Sequence, residues 1–164
     1  MAKRRINKIQ KIKQMKKLIF ALGFIAITAF AQAQMIVPVK WDVEIKPLKG
    51  GNQYEIVATA KIDMGFKLYG VNMEDGGPVK TSFNFETLEN CKEFGKAVEV
   101  TPSHTMHDKI FDMEVTYFKD KAVLSHKVWV TEKPAKVAGY IQWMSCNDEM
   151  CTPPTDEEFE FVIE

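Results

Sequence analysis

From Trp41 onward the apolar residues of this chain tend to fall on every second position, and that period of two constrains the fold more than any other feature. Successive side chains of a strand point to opposite faces, so alternation lays the apolar set on one face. Trp41-Asp42-Val43-Glu44-Ile45-Lys46 alternates cleanly and stops at Pro47. Gly50-Gly51-Asn52 is turn chemistry, Tyr54 to Ile62 is a run of β formers, and Phe66 to Tyr69 follows a Met64-Gly65 turn. The Asp75-Gly76-Gly77-Pro78 loop leads to Thr81-Ser82-Phe83-Asn84-Phe85. Glu114 to Phe118 and Ala122 to Val130 flank Lys119-Asp120-Lys121, Val137 to Met144 runs up to Cys146, and Phe159 to Ile163 comes last. No segment after residue 34 keeps a helical period for ten residues or more. About eight short strands in one domain predict an all-β fold, and an immunoglobulin-like β-sandwich is its simplest form. Trp41, Trp129 and Trp143 are expected in the core or at its edge.

The first 33 residues follow a different rule. Residues 1–17 carry eight Lys or Arg and no acid, Leu18 to Phe30 is an apolar or small-residue run, and Ala31-Gln32-Ala33 follows. A basic stretch, a short apolar core and an A-x-A exit describe a secretory signal peptide cleaved after Ala33. The run is too short for a comfortable membrane-spanning helix, which needs about 20 residues. No cysteine stands at the cleavage point, which argues against a lipoprotein, and Met15-Lys16-Lys17 would be a more ordinary start than Met1. Residues 34–164 are then one domain, exported and periplasmic, in a compartment where disulfides persist. The formal charge of zero for the whole chain hides an asymmetry. All 22 acids lie beyond residue 33 with only 14 of the 22 basic residues, a balance of about −8. Such a domain is a poor partner for nucleic acid or anionic membrane.

The chemistry rests on three cysteines. Cys146 and Cys151 enclose Asn147-Asp148-Glu149-Met150, with a strand leading in and Thr152-Pro153-Pro154 leading out. If the enclosed residues form a hairpin loop, the cysteines face each other at Cα separations of roughly 4.5–5.5 Å, within reach of a disulfide. A bridge closing so short a loop adds only about 2 kcal/mol by the chain-entropy estimate, little for a domain with a full core. Residues and spacing alone leave a structural staple, a redox pair and a metal site all open. Asp148 and Glu149 between the sulfurs disfavour thiolates, so a redox pair here would be a relay rather than an aggressive nucleophile.

Other candidates are weaker. His104-Thr105-Met106-His107, with Met144, Met150 and the cysteine pair, offers soft donors of the kind a Cu(I)-handling domain uses, against the plainer reading of a surface loop with solvated histidines. His126 alternates with Leu124 and Val128 on a strand face. Cys91 is the odd cysteine, buried, free or bridging between molecules. Nothing in the sequence calls for a resident metal or a small-molecule cofactor, and no hydrolase or transferase signature stands out.

Taken together, Gln142-Trp143-Met144-Ser145-Cys146 and Cys151-Thr152-Pro153-Pro154 resemble the N-terminal periplasmic domain of the thiol:disulfide interchange protein DsbD. Gly65-Phe66-Lys67-Leu68-Tyr69 and Gly76-Gly77-Pro78 with Thr81-Ser82-Phe83 agree with it, and the similarity runs in order through residues 36–163. The resemblance implies an immunoglobulin-like fold with an active-site hairpin. It implies that Cys146 and Cys151 exchange electrons with thioredoxin-fold partners, Cys151 bonding the downstream partner. It also implies a cap loop at His107–Asp112 with Phe111 over the pair, and Tyr69 beside it. That family's membrane electron carrier would here be encoded separately. An immunoglobulin-like binding module with a permanent staple is the alternative.

Overall fold

The structure, a computed structural model, describes residues 36–164; the stretch read as an export signal lies outside them. Among the described residues there are eleven strands and no helix. They are β1 (Val39–Pro47), β2 (Gln53–Ile62), β3 (Lys67–Tyr69), β4 (Ser82–Glu89), β5 (Cys91–Glu99), β6 (His104–Asp108), β7 (Met113–Phe118), β8 (Lys121–Val130), β9 (Ala135–Trp143), β10 (Ser145–Cys146) and β11 (Thr155–Ile163). Every pairing between them is antiparallel.

Two sheets make the sandwich, in the orders β1-β2-β8-β5 and β11-β9-β4. Naming the seven strands A to G in chain order gives A-B-E-D on one sheet and G-F-C on the other. That is the strand order of a constant-type immunoglobulin domain, so the expected all-β, immunoglobulin-like sandwich is what the chain forms. Alternation puts Ile56, Ala58 and Val128 of the first sheet against Val137, Ile141 and Phe159 of the second. The four remaining strands form a third sheet, in the order β10-β3-β7-β6. A second core cluster joins it to the sandwich, with Leu68 and Phe118 packed among Ala60, Ile62, Leu124 and Trp143.

Three strands had no counterpart in the expected eight, each for a physical reason. β5 is an edge strand whose ladder to β8 slips between Phe94 and Val98, with Gly95 at φ 85°. A bulge of this kind breaks the period of two. β6 is the edge of the small sheet, so its His104-Thr105-Met106-His107-Asp108 carries polar groups on both faces. β10 is two residues long, too short to show a period. Trp143 is core and Trp41 packs at its edge, as expected. Trp129 instead alternates with the buried Val128 and Val130 and stands on the outer face, its ring 6.0 Å from that of Phe94.

Gly139 shows how closely β4 and β9 approach where their register shifts between Phe85 and Thr87. A Cβ at this position would lie 2.0 Å from the backbone oxygen of Asn84. Backbone cannot rotate away as a side chain tip can, so Gly139→Ala is expected to destabilise the domain by about 1–3 kcal/mol, in the range of overpacking substitutions. Urea denaturation followed by tryptophan fluorescence measures it; an unchanged midpoint would contradict the close approach.

Candidate functional site

The third sheet sits where three connections of the sandwich meet. β3 lies between B and C, β6 and β7 between D and E, and β10 between F and G. Cys146 ends β10, and Cys151 bridges back to it as the antiparallel partner across the four-residue loop. The amide of Asn147 donates to Met150 O at 2.9 Å and that of Thr152 to Ser145 O at 2.8 Å. These two bonds flank the cysteines, which therefore form a non-hydrogen-bonded pair, the position where facing side chains come closest. Their Cα atoms are 4.0 Å apart and the sulfurs are bonded at 2.01 Å. The expected hairpin and bridge are both present. Asn147 Oδ1 accepts from the amides of Glu149 and Met150 at 2.9 and 2.7 Å, an Asx turn that sets the loop. Ser145 and Thr152 fix its stem, Ser145 Oγ donating to Lys67 O at 2.9 Å and the Ser145 amide to Thr152 Oγ1 at 3.2 Å.

The two sulfurs are not equivalent. Cys146 is 4% exposed, whereas Cys151 is only partly buried. Cys146 packs with Tyr69 and Val115, and Met73, Met106, Met113 and Met144 close around them. Tyr69, which the resemblance sets beside the pair, packs in the same cluster as the two cysteines. Its ring meets that of Phe111 edge to face at 6.5 Å; the resemblance puts Phe111 over the cysteine pair, and the contact seen here is with Tyr69. Phe111 lies in the turn between β6 and β7, at positions 109–112; His107 and Asp108, expected in the cap loop, belong to β6.

Asp108 is the residue that positions the 109–112 turn, and it was not singled out from the sequence. Its carboxyl is buried. Oδ2 accepts from the Tyr69 hydroxyl at 3.1 Å, and Oδ1 accepts from the amides of Ile110 and Phe111 at 2.8 and 3.4 Å. An aspartate just before a turn often binds amides two and three residues on, which is the signal that was available. Burial, then the Asp108 charge and hydrogen bond, push the Tyr69 phenol well above the ordinary tyrosine range.

Lys67 was also missed. β3 pairs with β10 so that Lys67 stands directly opposite Cys146, and its Nζ lies 3.2 Å from Asp148 Oδ1. The loop between the cysteines is thus not simply acidic. The soft donors weighed for Cu(I) are only partly brought together. Met106 and Met144 pack against the pair, but the two histidines are not in a loop. They are three residues apart on β6 and so face opposite ways, His104 with its ring 5.5 Å from that of Tyr117 and His107 with Nε2 3.1 Å from Asp112 Oδ1. His126 is buried between Phe83 and Phe85 in the sandwich core.

Removing Asp108 would leave a buried hydroxyl and two turn amides without their acceptor. Asp108→Ala is expected to cost about 1–3 kcal/mol, with faster hydrogen exchange at Ile110 and Phe111. The Tyr69 phenol carries its own signature. Its raised folded-state value means stability is intact below about pH 10 and falls as pH climbs above that. Tyr69→Phe should flatten that alkaline slope in pH-dependent urea titrations; an unaltered slope would refute the assignment.

The family model described as thiol:disulfide interchange protein DsbD, N-terminal, matches residues 32–163. Among solved structures, the N-terminal periplasmic domain of ScsB from Proteus mirabilis superposes with a TM-score of 0.56 at 12% identity, over 81% of this chain and 49% of that one. This chain therefore spans about half of that structure. The reduced N-terminal domain of DsbD from Neisseria meningitidis aligns over 73% of this chain and 83% of its own, with a TM-score of 0.46 and 15% identity. No curated protein matches at the sequence level. With the family model covering well over half of the chain, this protein belongs to the family of DsbD N-terminal domains.

Proposed function

We propose that residues 34–164 are a periplasmic thiol–disulfide exchange domain that relays electrons through Cys146 and Cys151. Thioredoxin-fold proteins are its exchange partners, and a membrane protein supplies its electrons. The observation that carries this reading is the placement of the disulfide. It lies on a sheet inserted into the sandwich, outside the core that holds the fold together, with one sulfur partly exposed and the other buried. A staple of this kind adds little stability to a sandwich with its own core. An exposed sulfur next to a buried one is instead an ordered arrangement for exchange, because a partner thiolate can approach only one of them. Cys151 is that sulfur, and Cys146 is the one that resolves the mixed disulfide. Phe111 and Tyr69 act as the shield that limits access by bystander thiols.

The same reading assigns residues 1–33 as the export signal, on the strength of the basic stretch, the apolar run and Ala31-Gln32-Ala33. N-terminal sequencing of the exported protein should begin at Gln34.

Two measurements test the relay. Cys146→Ala should accumulate a mixed disulfide with a thioredoxin-fold partner through Cys151, whereas Cys151→Ala should accumulate none. Equilibration of the wild-type domain in glutathione buffers should place the pair above about −300 mV, the region of exchangeable disulfides. A potential well below that value, with no partner trapped, would make the bridge a permanent staple in a binding module.

A further inference from the structure

We propose that Lys67 is a positioning residue for the exchange reaction, its ammonium holding the negative charge that appears on Cys146. The inference rests on the relay reading and adds a residue to it.

Negative charge moves between sulfurs as exchange proceeds. A partner thiolate attacks Sγ of Cys151, a new S–S bond forms, the Cys146–Cys151 bond breaks, and its electron pair leaves on Sγ of Cys146. In the return direction the Cys151 thiolate attacks one sulfur of the partner's disulfide, a mixed disulfide forms, the partner's S–S bond breaks and its other sulfur leaves as a thiolate. The Cys146 thiolate then attacks Sγ of Cys151, and the partner's sulfur leaves with the electron pair. Cys146 is thus an anion in both directions, and it is the buried sulfur, 4% exposed. Burial among methionines and a tyrosine disfavours an anion, and the charged and polar groups around the pair mostly oppose it as well. Asp148 and Glu149 sit in the loop, and Asp108 is bonded to Tyr69 in the packed cluster.

Lys67 is the cation that strand register places against this sulfur. Directly opposed residues of an antiparallel pair have Cβ atoms about 4.5–5.5 Å apart on the same face, and Lys67 opposes Cys146. Its side chain is 23% exposed and reaches across the loop to Asp148, whose own side chain is 92% exposed. So exposed a carboxylate has ample water and gains little from the pair. An ammonium has three donors, and one can turn to a sulfur anion while another stays with the carboxylate. In the disulfide state the sulfur is neutral and Asp148 holds the lysine in place. When the bridge opens, the same cation stands beside the new thiolate.

The ion pair makes the test decisive, because its two halves predict opposite signs. On a Cys151→Ser background, Lys67→Met should raise the Cys146 thiol pKa, read from thiolate absorbance against pH, while Asp148→Asn should lower it. In the otherwise wild-type domain, reduction of the disulfide by dithiothreitol should slow about three- to ten-fold with Lys67→Met and quicken with Asp148→Asn, the size expected of one charge at this range in a partly wet site. Lys67→Arg should stay close to wild type. A purely structural ion pair would loosen the hairpin whichever half is removed, and would shift both variants the same way. Shifts of equal sign, or none, overturn the proposal. Dithiothreitol needs no protein partner, so this outcome is independent of whether a mixed disulfide is trapped.

Discussion

The site depends on a parity rule of antiparallel sandwiches. When every neighbour in a sheet runs the opposite way, strand ends alternate between the two ends of the sandwich. The connections B to C, D to E and F to G then leave from the same end. Here each of the three carries extra chain, and their strands pair into the sheet β10-β3-β7-β6. Backbone groups that leave a sheet must find partners elsewhere. Gly70 shows how they do so: its amide donates to Thr116 O at 2.8 Å, and its carbonyl accepts from the Thr81 amide at 3.0 Å. A Cβ on Gly70 would lie 2.2 Å from Thr116 Oγ1, so a side chain here would have to displace Thr116. Glu99 pins the segment after β3 from the other side, accepting from the Val71 amide at 2.8 Å and from Ser103 Oγ at 2.7 Å.

This arrangement separates what holds the fold from what does the chemistry. The sandwich core closes around Ile56, Val128, Ile141 and Phe159 without using Cys146 or Cys151. The cysteines belong to a smaller cluster whose other members are Tyr69, Val115 and four methionines. Methionine is unbranched and adapts its shape, so such a cluster can repack when the S–S bond opens while the sandwich keeps its own packing. The disulfide is neutral and tolerates that surrounding, whereas a thiolate does not. Redox state and local charge are therefore tied together at this sheet, with Asp108 bonded to Tyr69 on one side of the pair and Lys67 beside Asp148 on the other.

Much of this was legible in the chain, and what was hidden is of one kind. Period-two runs such as Trp41 to Lys46 and Ala122 to Val130 announce strands because each has one buried face. The Cys146–Cys151 spacing announces a hairpin because a short antiparallel loop sets its own register. Strand β5 stayed hidden because Gly95 and the register slip break its alternation. Lys67 and Asp108 stayed hidden for a different reason. Lys67 meets Asp148 across 81 positions of sequence, and Tyr69 meets Asp108 across 39. Local pattern carries no information about which distant strand will lie alongside. The acids between the cysteines could be read directly, and the cation that answers them could not.

The third cysteine shows why chemistry stays with the pair. Cys91 opens β5 opposite Val130, and its thiol donates to Lys136 O at 3.3 Å. Burial, then Glu89, raise that thiol's pKa, which keeps its nucleophilic form scarce. Distance does the rest. Lys136 is near the start of β9 and Cys146 lies just past its end, and at about 3.3 Å per residue they are on the order of 30 Å apart. Attack by Cys91 on the bridge within one molecule would require unfolding most of the sandwich. Within one molecule the strand that joins the free thiol and the disulfide is thus also the rigid spacer that keeps them apart.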